Sequence, residues 1–166
     1  MITTIKQNDL KSNQLSWLCI EPMLLAVRGK DFAAKTEMYK QLNEGQQALY
    51  LFYAFHNHVN STSELYWFAA YYITEMKAWD GIIHGLRYFK DLKLIELLEQ
   101  VKLAIEQRNK VNDEWSQASP TDLDKDEELR MTMQEFYTSY QSLSTKSINQ
   151  MNQWIINHPE EYFVIE

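Results

Sequence analysis

Apolar residues recur three and four positions apart along nearly the whole chain, and very little interrupts them. That spacing matches the 3.6-residue helical turn, so each repeat lays an apolar stripe along one helix face. The chain has only 4 Gly and 3 Pro among 166 residues. β-Sandwiches, Rossmann-type sheets and other loop-rich architectures need glycine at their turns. At roughly 100–200 residues per domain the length gives one domain. An apolar content of 45% supplies a core without disulfides or metal. The expectation is an all-α fold, a single compact domain over residues 1–166 with seven to nine helices and no significant sheet.

Local signals divide the chain. Leu10, Leu15 and Leu18 mark a first helix that Pro22 is expected to end, because an interior proline lacks the N–H and crowds the preceding turn. A short helix would follow from Pro22 to Val27, with Gly29 just beyond it. Asp31 is placed to cap a helix carrying Phe32, Met38, Tyr39 and Leu42, which completes an N-terminal helical region, residues 1–41. Asn43 and Gln46 have capping-box spacing, ahead of a stripe made by Ala48, Phe52, Phe55 and Val59. Ser61 and Glu64 repeat that spacing before Tyr66, Trp67, Phe68, Tyr71 and Tyr72. This helix is apolar around most of its circumference and is expected to be the most buried. Gly81 and Gly85, four apart on the next helix, would let a neighbour approach closely. Asp91 caps a helix carrying Leu94, Leu98, Val101 and Ile105. A loop is expected over 110–123, then a helix from Asp124 to Leu143 and another capped by Ser144. Pro159 would start a last turn that folds Tyr162 and Phe163 onto the body.

The net charge of −7 disfavours sequence-independent nucleic-acid binding, and it is unevenly spread. Residues 1–60 hold 6 Lys/Arg and 5 Asp/Glu, and residues 61–112 hold 7 of each. Residues 113–166 hold 3 Lys/Arg and 11 Asp/Glu. Asp122, Asp124, Asp126, Glu127, Glu128 and Glu135 therefore gather around one loop and its helix as candidate contacts for a basic partner. The bland alternative is that these acids serve the helix macrodipole and solubility.

Other chemistry is sparse. Cys19, the single cysteine, lies among Trp17, Leu18 and Ile20 and reads as a small buried hydrophobe. No Walker loop, Gly-x-Ser-x-Gly or Gly-x-Gly-x-x-Gly occurs. Glu64 and Glu75 are three turns apart, about 16 Å, too far for a glycosidase carboxylate pair. His56 and His58 sit about 200° apart around a helix, and no Glu-x-x-His repeat occurs. No catalytic group, metal or cofactor is therefore expected. One alternative has His56, His58 and His84 building a metal or small-molecule site. Another gathers Asn60, Trp67, Tyr71 and His84 into a pocket, although aromatics at helical spacing also read as core. The N-terminal MITTIKQNDLKSNQ has no apolar h-region. The longest apolar run, Leu65 to Ile73, is too short for a bilayer. A cytoplasmic location without membrane contact is the expectation.

The order of segments LNEGQQALYLFYAFHNHVNSTSELYWFAAYY, a glycine-bearing helix, an acidic loop-helix, EFYTSYQSL and QWIINHPEEYF resembles a known family. It is a widespread, mostly uncharacterised bacterial all-helical family that contains a DNA-mimic protein. The similar parts are Val59-Asn60 before Trp67-Phe68, the Phe136-Tyr137 pair, and Trp154-Ile155 with His158-Pro159-Glu160-Glu161-Tyr162-Phe163. They fall within residues 42–163. The family commonly has Asn-Gly-Gly after the Val, where this chain has Asn60-Ser61-Thr62. The resemblance implies an all-α monomer or homodimer and carries no catalytic residues. It raises the expectation of a non-enzymatic protein that shows its acidic face to a basic partner. DNA mimicry toward a DNA-binding regulator is one form. An immunity-type protein against a basic toxin is the alternative.

Overall fold

Eight helices occupy most of the chain between Leu15 and Asn157, and the computed structural model describes residues 1–166. The order is α1 (Leu15–Ala26), α2 (Phe32–Lys40), α3 (Glu44–His56), α4 (Thr62–Thr74), α5 (Trp79–Tyr88), α6 (Leu92–Asn109), α7 (Asp122–Lys125) and α8 (Glu127–Asn157). The helix starts obey their caps. Asp31, Asn43, Ser61, Asp91 and Asp126 each accept a hydrogen bond from the backbone N–H three residues on. The Asn43 box is complete, with Gln46 Oε1 accepting from the Asn43 N–H at 3.2 Å. At Ser61 the reciprocal bond shifts by one residue, and Glu64 accepts from the Asn60 N–H at 2.8 Å.

Three expectations about the elements are corrected. Pro22 lies inside α1, which runs unbroken past it. Leu15, Cys19, Ile20 and Met23 on that helix are buried, and their burial offsets the missing hydrogen bond. Ser144 does not start a helix, because α8 is one piece of 31 residues, about 46 Å long. Ser144 is buried within it, its hydroxyl turned back to the Gln141 carbonyl at 3.3 Å. The most buried helix is α3, not α4. Eight residues of α3 are buried against five of α4, where Tyr71 reaches solvent and Trp67 and Phe68 are half-buried. The eight helices match the all-α expectation, and beside them the chain has only four tiny strands. β1 (Thr3–Ile5) pairs in parallel with β4 (Phe163–Ile165), joining the two ends of the chain. Within the 110–123 segment, β2 (Lys110–Val111) and β3 (Glu114–Trp115) form a hairpin. Its two turn residues, Asn112 and Asp113, are both left-handed at φ 52° and 63°, as a type I′ turn requires.

α3 packs against α1, α2 and α5, while α8 spans α1, α4 and α6. The α3–α5 crossing is close because Gly85 faces Ala48. A Cβ on Gly85 would fall 2.8 Å from the Ala48 Cα. Thirty-eight buried apolar residues form one core cluster. Tyr162 and Phe163 belong to it, so the last turn does fold back onto the body. No helix is long and apolar enough to cross a membrane.

Candidate functional site

The acidic segment separates into two groups once folded. Asp122 accepts hydrogen bonds from the Tyr66 hydroxyl at 2.8 Å and the Ser119 N–H at 2.9 Å. Tyr66 in turn accepts from Asn109 Nδ2 at 2.9 Å, and Arg108 donates to Asn109 Oδ1 at 2.9 Å. This chain ties α7 to α4 and α6. Burial pulls the Asp122 carboxyl upward, but the Ser119 N–H, the Tyr66 hydroxyl and the Arg108 and Lys125 charges outweigh it, leaving it below the usual range. The same contacts reach Tyr66, whose phenol burial pushes up to about 12. Asp126 caps α8 and lies 3.4 Å from Arg108 Nε. Glu127 is held by Arg130, which donates to it through both Nε and Nη2. These three acids have partners within the chain, the Glu127–Arg130 pair lying on the surface. Asp124, Glu128 and Glu135 are exposed, and none of them is in an ion pair.

Arg108 is the residue that sequence reasoning missed. It reaches the acidic cluster from α6, whose own charges balance along the chain. A separation of 18 positions from Asp126 leaves no periodic signal to link them. Its guanidinium cancels part of the field that the local count assigned to the segment.

The histidines diverge. His56 Nδ1 meets the Tyr140 hydroxyl at 2.9 Å, with the ring stacked on Phe52 at 5.2 Å. Burial lowers its pKa, which keeps the imidazole neutral at pH 7. His58 stacks on Phe68 at 4.5 Å. His84 lies on the surface, 3.3 Å from Glu44. Nowhere do three His, Cys, Asp or Glu side chains converge as a metal-ligand set. The Asn60, Trp67, Tyr71 and His84 grouping also dissolves. Trp67 and Tyr71 stack on each other at 6.2 Å, Asn60 Nδ2 bonds back to the Asn57 carbonyl at 3.1 Å, and His84 sits on another helix. None of the four lines the clefts between α5 and α6, among α1, α3 and α8, among α2, α3 and α5, or between α6 and α8.

Cys19 is fully buried, and burial pushes its thiol up to about 12, so it holds its proton at neutral pH and is no nucleophile. Its surroundings match the apolar reading of its neighbours in sequence. No protein-family model matches the chain, no curated protein matches it, and no solved structure matches it.

Proposed function

We propose that this protein is a non-enzymatic interaction domain that attracts a basic protein partner through the acidic face around α7 and the start of α8. One observation carries the reading. In a segment already rich in acids, Asp124, Glu128 and Glu135 are exposed and without an ion-pair partner, so their field projects outward. Glu128 and Glu135 lie seven residues apart, two turns along one side of α8, about 10 Å. Asp122, Asp126 and Glu127 hold the local structure and set where the free carboxylates stand.

DNA mimicry toward a DNA-binding regulator is the narrower form of this proposal, supported by the resemblance in segment order. The charge density favours the broader form. Over 10 Å of axis a duplex carries about six charges, whereas α8 offers two free carboxylates. A basic protein partner of moderate affinity, drawn in by long-range attraction, is the closer fit.

The test compares wild type with the triple variant Asp124→Lys, Glu128→Lys, Glu135→Lys in affinity capture from native lysate at low and high salt. A basic partner released by salt and lost in the variant supports the proposal, since such charges are screened beyond roughly 8 Å at physiological ionic strength. Duplex DNA competing for that partner would establish the mimic form, and a nuclease toxin in the complex would establish the immunity form. Equal capture by the variant would sink the reading.

A further inference from the structure

At the meeting of α1, α3 and α8 lies an open cleft of about 400 Å³. It differs from the rest of the surface in one respect. Charged residues make up 23% of the chain, yet none lines this cleft. Its walls carry four carboxamides, from Asn13 and Gln14 just before α1, Asn57 at the end of α3, and Asn149 on α8. None of these four side chains makes a hydrogen bond within the protein, though the Asn13 and Asn57 carbonyls do. Gln14 occupies the cap position of α1 without using its side chain as a cap. Their paired donors and acceptors are open to a ligand.

The floor is aromatic and held rigidly. The Trp17 ring is partly exposed and packs edge-on against Tyr53, with centroids 5.3 Å apart. The Tyr53 hydroxyl lies 2.7 Å from the Ser16 hydroxyl. Behind them Asn152 Oδ1 accepts from the Ser16 N–H, and Asn152 Nδ2 donates to the Asn13 carbonyl, both at 2.8 Å. Ser16, Tyr53, Tyr140 and Asn152 are all buried. Buried polar networks of this kind are retained at a desolvation cost and fix the geometry of what they touch. Here the network fixes the backbone at Asn13 and the plane of Tyr53, while a separate hydrogen bond to Tyr140 holds the His56 ring. His56 also lines the cleft, and its Nε2 makes no hydrogen bond within the protein.

We infer that this cleft is a binding site for a neutral saccharide of one or two rings, seated on Trp17 and hydrogen-bonded by the surrounding carboxamides. The absence of charged lining residues argues against an ionic ligand, because a desolvated charge would find no counter-ion. Carboxamides match hydroxyl groups, which also donate and accept. A single aromatic platform suits the C–H face of a sugar ring. A nucleobase sandwich would need two parallel rings, and Trp17 and Tyr53 stand 61° apart. Thr145, on the same wall as Asn149, is ten residues beyond Glu135, about 15 Å along α8, so the site does not depend on the acidic face.

Saturation-transfer-difference NMR on the full chain tests this, with glucose, N-acetylglucosamine, maltose, cellobiose and adenosine as probes at millimolar concentration. Transfer to at least one saccharide and none to adenosine is expected. Asn57→Ala and Asn149→Ala are exposed substitutions, and each is expected to weaken that saccharide up to about tenfold with an unchanged circular dichroism spectrum. Trp17→Ala is expected to abolish the signal, with partial recovery in Trp17→Phe. The triple acid-to-lysine variant is expected to bind the saccharide as wild type does, whatever its capture of a protein partner. No transfer to any saccharide, transfer to adenosine instead, or undiminished affinity in both asparagine variants would overturn the inference.

Discussion

Gly85 offers a sharp test of how the core is packed. In Gly85→Ala the new Cβ would stand 2.8 Å from the Ala48 Cα and 2.9 Å from the Ala48 Cβ. Carbon atoms in contact prefer about 3.5–4.0 Å, so the shortfall is roughly 1 Å. Both opposing atoms belong to, or sit directly on, the backbone of α3 and cannot rotate away. The helices must separate across a crossing that holds Leu49, Phe52, Ile82 and Leu86, all buried. Overpacking of this kind costs about 1–3 kcal/mol, and an unyielding neighbour puts it at the upper end. Replacing a helical Gly by Ala returns about 1 kcal/mol. The net expectation is a loss of about 2 kcal/mol, or a fall of about 4–8 °C in Tm for a chain of this size. Gly81→Ala supplies the internal control. There the clash is with the Leu51 Cδ1 at 2.6 Å, the mobile end of a half-buried side chain. A rotamer change costs about 0.5–1.5 kcal/mol, which the same helix-propensity gain nearly cancels. Urea unfolding at 25 °C should rank wild type and Gly81→Ala within about 1 kcal/mol of each other, with Gly85→Ala clearly below both. A Gly85→Ala protein as stable as wild type, or less affected than Gly81→Ala, would refute the close-approach argument.

Pro22→Ala restores a donor toward the Leu18 carbonyl inside an unbroken helix and is expected to stabilise by about 1–2 kcal/mol, read as a higher urea midpoint. His56, whose pKa burial lowers, must gain a proton on unfolding once the pH drops below its ordinary value of about 6.5. Stability should therefore fall as the pH is lowered from 7 to 5, and His56→Gln should flatten that slope in unfolding titrations. Cys19 should resist thiol reagents in the native protein and react only at the rate of unfolding, and rapid native labelling would contradict its burial.

Local chemistry made most helix starts legible. Asp31, Asn43, Ser61 and Asp91 act through side-chain oxygens and N–H groups three residues away, so a short window of sequence contains both partners. The same locality misled at Pro22 and Ser144. Each has a local cost in a helix, and each is overruled by apolar neighbours that pack against distant segments. The sequence count located the acidic segment and named six of its acids. Three of them also engage Tyr66, Arg108, Ser119, Arg130 and the start of α8, and two of those partners come from other helices.

From the sequence alone came the helical class, the caps, the close packing at Gly85, the burial of Cys19 and the acidic weight of the last third. All of these follow from residue type and spacing within a few turns. The tertiary structure alone decided which acids remain free, which helix lies at the centre, that β1 and β4 join the two ends, and that Asn13, Trp17, Asn57 and Asn149 share one uncharged cleft. Those outcomes depend on contacts between residues up to 160 positions apart, as in Thr3 with Phe163. Side-chain periodicity carries no record of such pairings, because a helix's pattern states which face is buried and not what buries it.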